Sequence, residues 1–115
     1  MKRLILEMGM GADLYGEDYT KAACRAVDDA IRHSSLILFR SLGLDHEMMQ
    51  VNVTVGVQKP EAVDVQVVAA KLPRGKAVVN VVYGGQNVID EDNGTVSVIA
   101  SIAVEACYPG ELLPK

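Results

Sequence analysis

The residues best suited to binding chemistry stand close together near the start of the chain. Asp13 and Tyr15 lie in a stretch that lacks the apolar periodicity of a packed element, so packing does not explain them. Thr20 and Lys21 follow in the predicted first turn of a helix, where a lysine opposes the helix dipole unless an anion pairs with it. That anion is either a neighbouring acidic side chain or a ligand carboxylate. These four residues form the predicted ligand site.

Three glycines, Gly9, Gly11 and Gly16, punctuate the same stretch and predict a loop between a strand and a helix. Free backbone N–H groups and the positive end of the helix dipole converge at such a junction, so Gly9 and Gly11 are assigned to the ligand site as well. The alternative is that they are turn glycines without a binding role. The loop is not a phosphate loop, because no Gly-Lys-Ser or Gly-Lys-Thr ends it.

Proton transfer has two candidates, Glu7 near the end of the first strand and His33 in the last turn of the first helix. Each also has a structural interpretation. Glu7 could be a carboxylate paired by hydrogen bonds, and His33 a cation placed favourably at a helix C-terminus. No nucleophile and base stand at a diagnostic spacing, so the sequence alone leaves open whether the protein is an enzyme.

No metal or cofactor is predicted. Asp45, His46 and Glu47 are ligand types, but adjacent residues point in divergent directions and make a poor metal site. Cys24 and Cys107 are far apart in the sequence and are interpreted as reduced packing residues, which favours a cytoplasmic protein.

The elements that must position these side chains follow from hydrophobic periodicity. Alternation predicts strands over about 2–9, 49–57, 76–83 and 95–107, with Leu4, Leu6 and Met8 on the apolar face of the first strand. A helix is predicted over about 18–34, beginning at Asp18. A second helix is predicted from Asp64, although a strand within 60–72 stays open. The two glycines at 84–85 are predicted to interrupt the strand pattern, and the polar residues over 90–94 predict a hairpin turn.

The order β-α-β-α-β-β predicts a single α+β domain over 1–115. It is a two-layer sandwich with a mixed four-stranded sheet and both helices on one face, because crossover connections are right-handed. The other face carries small or uncharged side chains where a solvated face would carry more charge. We therefore expect a homo-oligomer that uses this face, and plain exposure to solvent is the alternative. The residues assigned to it are Glu7, Gln50, Asn52, Thr54, Asn80, Ser97, Ser101 and Glu105.

Composition excludes several classes of function. The net charge of −4 argues against binding to nucleic acid, which requires a basic surface. No apolar run has membrane-spanning length, so no membrane partner is expected. The three apolar residues before Glu7 are too few for a signal peptide, which again favours the cytoplasm.

The order of elements resembles the trimeric bacterial chorismate mutase fold, which the reactive-imine deaminases share. It is also similar to one repeat of the amidohydrolases that open the rings of cyanuric acid and barbiturate. This resemblance implies a ring-shaped trimer with ligand clefts between subunits. The catalytic motifs of these enzymes do not carry over, since neither the serine-glycine-glycine context nor the substrate-clamping arginine has a counterpart in this chain.

A more specific resemblance covers most of the chain. Its motifs are similar to those of a family of small conserved microbial proteins of unknown function, so it implies a fold and no chemistry. The motifs are Glu7-Met-Gly-Met-Gly-Ala-Asp-Leu-Tyr-Gly16, Thr20-Lys-Ala-Ala23, His33-Ser34, Leu72-Pro-Arg-Gly75 and Tyr83-Gly-Gly85.

Two hypotheses about function follow. In the first, the protein is an enzyme that acts on a small nitrogen-containing or carboxylated metabolite between subunits, with Glu7 or His33 moving protons. In the second, it is a non-catalytic oligomeric module that binds a metabolite or another protein. A thermal-shift screen of metabolites followed by turnover assays separates them.

Overall fold

The computed structural model describes residues 1–32, 43–72 and 76–114. Within these ranges five strands form one mixed sheet, and two α-helices pack on one of its faces around a single core. The predicted α+β sandwich is confirmed. The strands are β1 (Lys2–Asp13), β2 (Gln50–Val57), β3 (Lys76–Tyr83), β4 (Gln86–Asp90) and β5 (Thr95–Tyr108), and the helices are α1 (Tyr19–Arg32) and α2 (Val65–Ala70).

The long strand β5 is the centre of the sheet. It pairs antiparallel with β1 on one side, while β2 and β4 share its other side. Strand β3 pairs parallel with β2. The described sheet has five strands rather than the predicted four, because Gly84 and Gly85 end the pairing of β3 and let the chain cross to β5. Gly85 has a φ of +63°, and a side chain there would collide with the carbonyl oxygen of Ile99.

Helix α1 packs closely on β1 through small residues. A Cβ atom on Gly9 would lie 2.6 Å from the carbonyl oxygen of Ala26, and one on Gly11 would collide with Ala22 and Ala26. Both glycines belong to β1, which continues to Asp13. The prediction of a strand that ends near residue 9 and a glycine loop after it is therefore wrong at these two positions. Glycine is needed there for close contact between two backbones.

The predicted orientation of β1 is also wrong. Gly9 and Gly11 face α1, so Glu7 lies on the helix side of the sheet and is half-buried, whereas Leu6 and Met8 lie on the helix-free side and are exposed. An irregularity in the pairing between Arg3 and Ile5 explains the error. One extra residue in a strand reverses which face every following side chain occupies.

Other elements agree with the sequence. The valines of β2 at alternate positions are buried, as are Val98 and Ala100 of β5. Segment 60–72 contains a helix rather than a strand, and the side chain of Asp64 caps it by accepting hydrogen bonds from the backbone N–H groups of Gln66 and Val67. Gly94 has the positive φ that the predicted hairpin turn requires. No helix in the described ranges is long and apolar enough to cross a membrane.

Candidate functional site

A cavity of about 430 Å³ opens where β1 ends and α1 begins. It brings together three of the predicted ligand-binding residues, Asp13, Tyr15 and Lys21. We call it the α1 pocket. The described residues that line it are Asp13, Leu14, Tyr15, Gly16, Asp18, Lys21 and Arg25.

Asp13 holds the loop of the α1 pocket in place. Its Oδ2 accepts a hydrogen bond of 2.9 Å from the backbone N–H of Asp18, and its Oδ1 lies 3.6 Å from Nη1 of Arg25. The side chain is 9% exposed, so these contacts replace most of its water. Asp13 therefore fixes the path of residues 14–17 between strand and helix, which is a structural role in addition to any contact with a ligand.

Asp18 caps α1 as predicted. Its Oδ1 accepts a hydrogen bond of 3.0 Å from the backbone N–H of Lys21. This bond occupies one of the helix N–H groups that the sequence assigned to ligand binding. The residue before the cap, Glu17, has a φ of +49°, which an L-amino acid adopts at a cost.

Two cations, Lys21 and Arg25, line the pocket one helical turn apart. Lys21 is exposed and forms no ion pair with any carboxylate in the described part of the chain, so of the two alternatives for its anion the neighbouring acidic side chain is not observed. The Nη1 group of Arg25 donates a hydrogen bond of 2.6 Å to the carbonyl oxygen of Ala12, and half of its side chain stays exposed. Lys21 can therefore meet an anion in the pocket, with Arg25 held beside it.

Glu7 does not lie at this pocket. Six residues of extended strand separate it from Asp13, which corresponds to about 20 Å, so one small ligand cannot contact both within one chain.

Thr20, Gly9 and Gly11 do not line the α1 pocket either. The hydroxyl of Thr20 donates a hydrogen bond to the carbonyl oxygen of Ala62 and accepts one of 2.9 Å from the backbone N–H of Asp64. Gly9 and Gly11 lie under α1 rather than in the pocket. His33 falls outside the described residues.

Arg25 lines the pocket but was not among the predicted ligand-binding residues. Its position four residues after Lys21 was the available signal, since residues at this spacing share a helix face. Leu14 was also missed. Its carbonyl oxygen accepts a hydrogen bond of 3.1 Å from the hydroxyl of Ser97 in β5, which ties the loop to the sheet.

In the described part of the chain, two groups outside the pocket have shifted pKa values. Burial raises the pKa of the Cys24 thiol. Hydrogen bonds from the side chain and backbone of Asn93 lower the pKa of Asp90 in the hairpin turn. In the described ranges, no group of three or more His, Cys, Asp or Glu side chains could hold a metal ion.

Comparisons with known proteins place this chain among relatives of unknown function. A crystal structure of an FtsZ-like protein of unknown function from Nostoc punctiforme is 40% identical over 91% of this chain and 93% of that chain, with a TM-score of 0.81. No curated protein matches the sequence. Residues 3–106 match the model of a family described as conserved hypothetical protein, Lin0512. The chain therefore belongs to the Lin0512 family of conserved hypothetical proteins.

Proposed function

We propose that this protein is a subunit of a homo-oligomer that binds a small anionic or amide-bearing metabolite in the α1 pocket. The observation that carries the proposal is Lys21, an exposed cation at a concave site without a carboxylate partner in the described part of the chain. A trimer is the favoured assembly, because the order of elements resembles a trimeric fold. A cytoplasmic location agrees with the reduced cysteines.

The size and charge of the pocket define the ligand class. Sites for small molecules have volumes of about 300–1,000 Å³, and this cavity lies at the lower end of that range. The guanidinium of Arg25 and the ammonium of Lys21 suit a carboxylate or a phosphate, and backbone groups of residues 14–16 could bind an amide. Asp13 and Asp18 limit the negative charge that the site accepts, so a monoanion fits best.

The geometry supports binding better than catalysis. Of the two candidates for proton transfer, Glu7 lies within the described residues. It is about 20 Å along β1 from Asp13 and could reach this ligand only from another subunit. Among the described residues that line the pocket there is no serine, cysteine or histidine that could act as a nucleophile with an adjacent base. The non-catalytic metabolite-binding module is therefore our primary proposal.

A ligand screen with matched variants tests it. Small carboxylates, phosphates and amides are screened by thermal shift against the wild type, Lys21→Met and Lys2→Met. Lys2 is the control, because it is a lysine at the opposite end of β1. We expect a ligand that stabilises the wild type and Lys2→Met, and that binds Lys21→Met about tenfold or more weakly.

Equal affinity for all three proteins would place the ligand elsewhere. If no compound in the screen stabilises the wild type, the anionic ligand class is wrong. Incubation of the wild type with each hit then distinguishes the two hypotheses, since turnover of the compound would favour the enzyme.

A further inference from the structure

Within residues 1–32, 43–72 and 76–114, one face of the sheet carries no helix, and we call it the open face. Strand pairing aligns its side chains in rows across the sheet, as for Met10, Ser101 and Gly56. Ser101 confirms this alignment, because its hydroxyl would lie 2.7 Å from a Cβ on Gly56. The described residues on this face include Met8 and Met10 of β1, Asn52 and Thr54 of β2, and Ser97 and Ser101 of β5.

Two margins of the open face are apolar and exposed. On β1, Met8 and Met10 are 69% and 62% exposed. On β3, at the opposite margin, Val78 and Val82 are each 45% exposed. Groups of exposed apolar side chains such as these are characteristic of interaction sites.

The two central strands of the open face, β2 and β5, carry uncharged polar side chains beside Glu105. Asn52, Thr54 and Ser101 carry amide and hydroxyl groups, which both donate and accept hydrogen bonds. Such groups can form hydrogen bonds with polar groups of a neighbouring copy, whereas a row of lysines or carboxylates would repel like charges on that copy.

Charged residues on the described part of this face cancel in sign. Arg3 forms an ion pair of 3.4 Å with Glu105, while Lys76 and Asp90 stand at the margins. The described part of the face therefore has no extended positive electrostatic potential that would attract a nucleic acid or an anionic membrane.

We infer that a second copy of this chain packs on the open face. From the strand lengths and the spacing between strands, the face measures roughly 750 Å², close to the 800 Å² or so that each partner buries in a standard stable interface. The area, the uncharged polar side chains of the central strands and the cancelling charges all fit a copy of the chain better than a charged partner.

This inference deepens the proposed function, on which it rests for the link to the ligand. Ser97 lies on the open face and bonds the carbonyl oxygen of Leu14, which brings the loop of the α1 pocket to the end of that face. Leu14 and Tyr15 are 51% and 78% exposed there. A copy that packs on the open face would cover these two side chains and supply a further wall of the pocket.

Charge insertion into the open face tests the inference. The full chain at micromolar concentration is compared by sedimentation velocity as wild type, Thr54→Lys, Met10→Lys and Gln66→Lys. Thr54 is exposed on the open face, and Gln66 is an exposed control on α2 that receives the same charge. We expect the wild type and Gln66→Lys to sediment as oligomers and both open-face variants to sediment as single chains with unchanged circular dichroism.

A second measurement covers the case in which an open-face variant fails to fold. Peroxide oxidation of Met8 and Met10 in the wild type is followed at submicromolar and high micromolar concentrations. The inference requires slower oxidation at the higher concentration, by about tenfold or more. A wild type that sediments as a single chain, or folded open-face variants that keep the oligomeric mass, would overturn it.

The two proposals fail in different ways. If Lys21→Met loses ligand binding but keeps the oligomeric mass of the wild type, the result supports ligand binding in the α1 pocket. The interface is then tested separately by the open-face variants. If Thr54→Lys is a folded single chain that still binds the ligand with full affinity, the second copy does not complete the pocket.

Discussion

The main chain of β1 at Gly11 lies directly against the backbone nitrogen of Ala26 in α1, so that no side chain fits between them. Ala22, Ala26 and Ala30 present the matching small surface of the helix and are fully buried. This contact sets the distance between the helix and the sheet, and with it the position of the α1 pocket.

Replacing Gly11 by Ala should therefore destabilise the protein by about 3 kcal/mol or more, because backbone atoms cannot move aside as a flexible side chain can. Urea unfolding of the two proteins measures the difference. Gly110→Ala is the matched control, since a Cβ there meets the side chain of Lys2 at an ordinary 3.4 Å. A Gly11→Ala protein as stable as the control would mean that helix and strand are not in close contact.

The loop of the α1 pocket should depend on the hydrogen bond between Asp13 and the backbone N–H of Asp18. Asp13→Ala leaves that N–H without its partner and should cost about 1–3 kcal/mol of unfolding free energy. Asp13→Asn keeps an acceptor oxygen and should cost less, as measured by the same denaturation. If both variants lose the same amount, the ion pair with Arg25 is the more important contact.

The hydroxyl of Thr20 should join the two helices. Thr20→Val removes the bonds to Ala62 and Asp64 while keeping the shape of the side chain, and we expect a loss of about 1–2 kcal/mol. Thr20→Ser keeps the hydroxyl and serves as the control in thermal unfolding. Equal losses in the two variants would show that the methyl group, not the hydroxyl, stabilises this contact.

The carboxyl group of Asp90 should titrate at a lower pKa than an ordinary aspartate, because the Asn93 side chain and backbone bond its charged form. A lowered pKa in the folded state contributes stability above the pKa of the unfolded chain, and this contribution is lost as the pH falls through the folded pKa. Asn93→Ala should return the pKa of Asp90 toward its ordinary value in an NMR titration of the carboxyl carbon. Asn80→Ala, on β3, is the control and should leave that pKa unchanged; a low pKa that persists in Asn93→Ala would contradict the assignment.

Features that depend on neighbouring residues in the sequence could be predicted from it. Asp18 and Asp64 begin helices because their side chains bond backbone N–H groups two or three residues ahead. Strands β2 and β3 follow from apolar alternation over eight residues. Asp13, Tyr15 and Lys21 meet in one pocket because a short loop between a strand and a helix keeps them together.

Features that depend on distant parts of the chain were decided by the tertiary structure alone. Alternation in β1 could not show which face meets the helices, because one pairing irregularity near Arg3 reverses the two faces of all that follows. In the sequence, Gly9 and Gly11 resemble loop glycines. Only the packing of α1 against β1 shows that they are strand residues that allow close contact between the two backbones. Glu7 and Asp13 are six residues apart in the sequence, yet an extended strand separates them by about 20 Å, so they cannot share one small ligand within a chain.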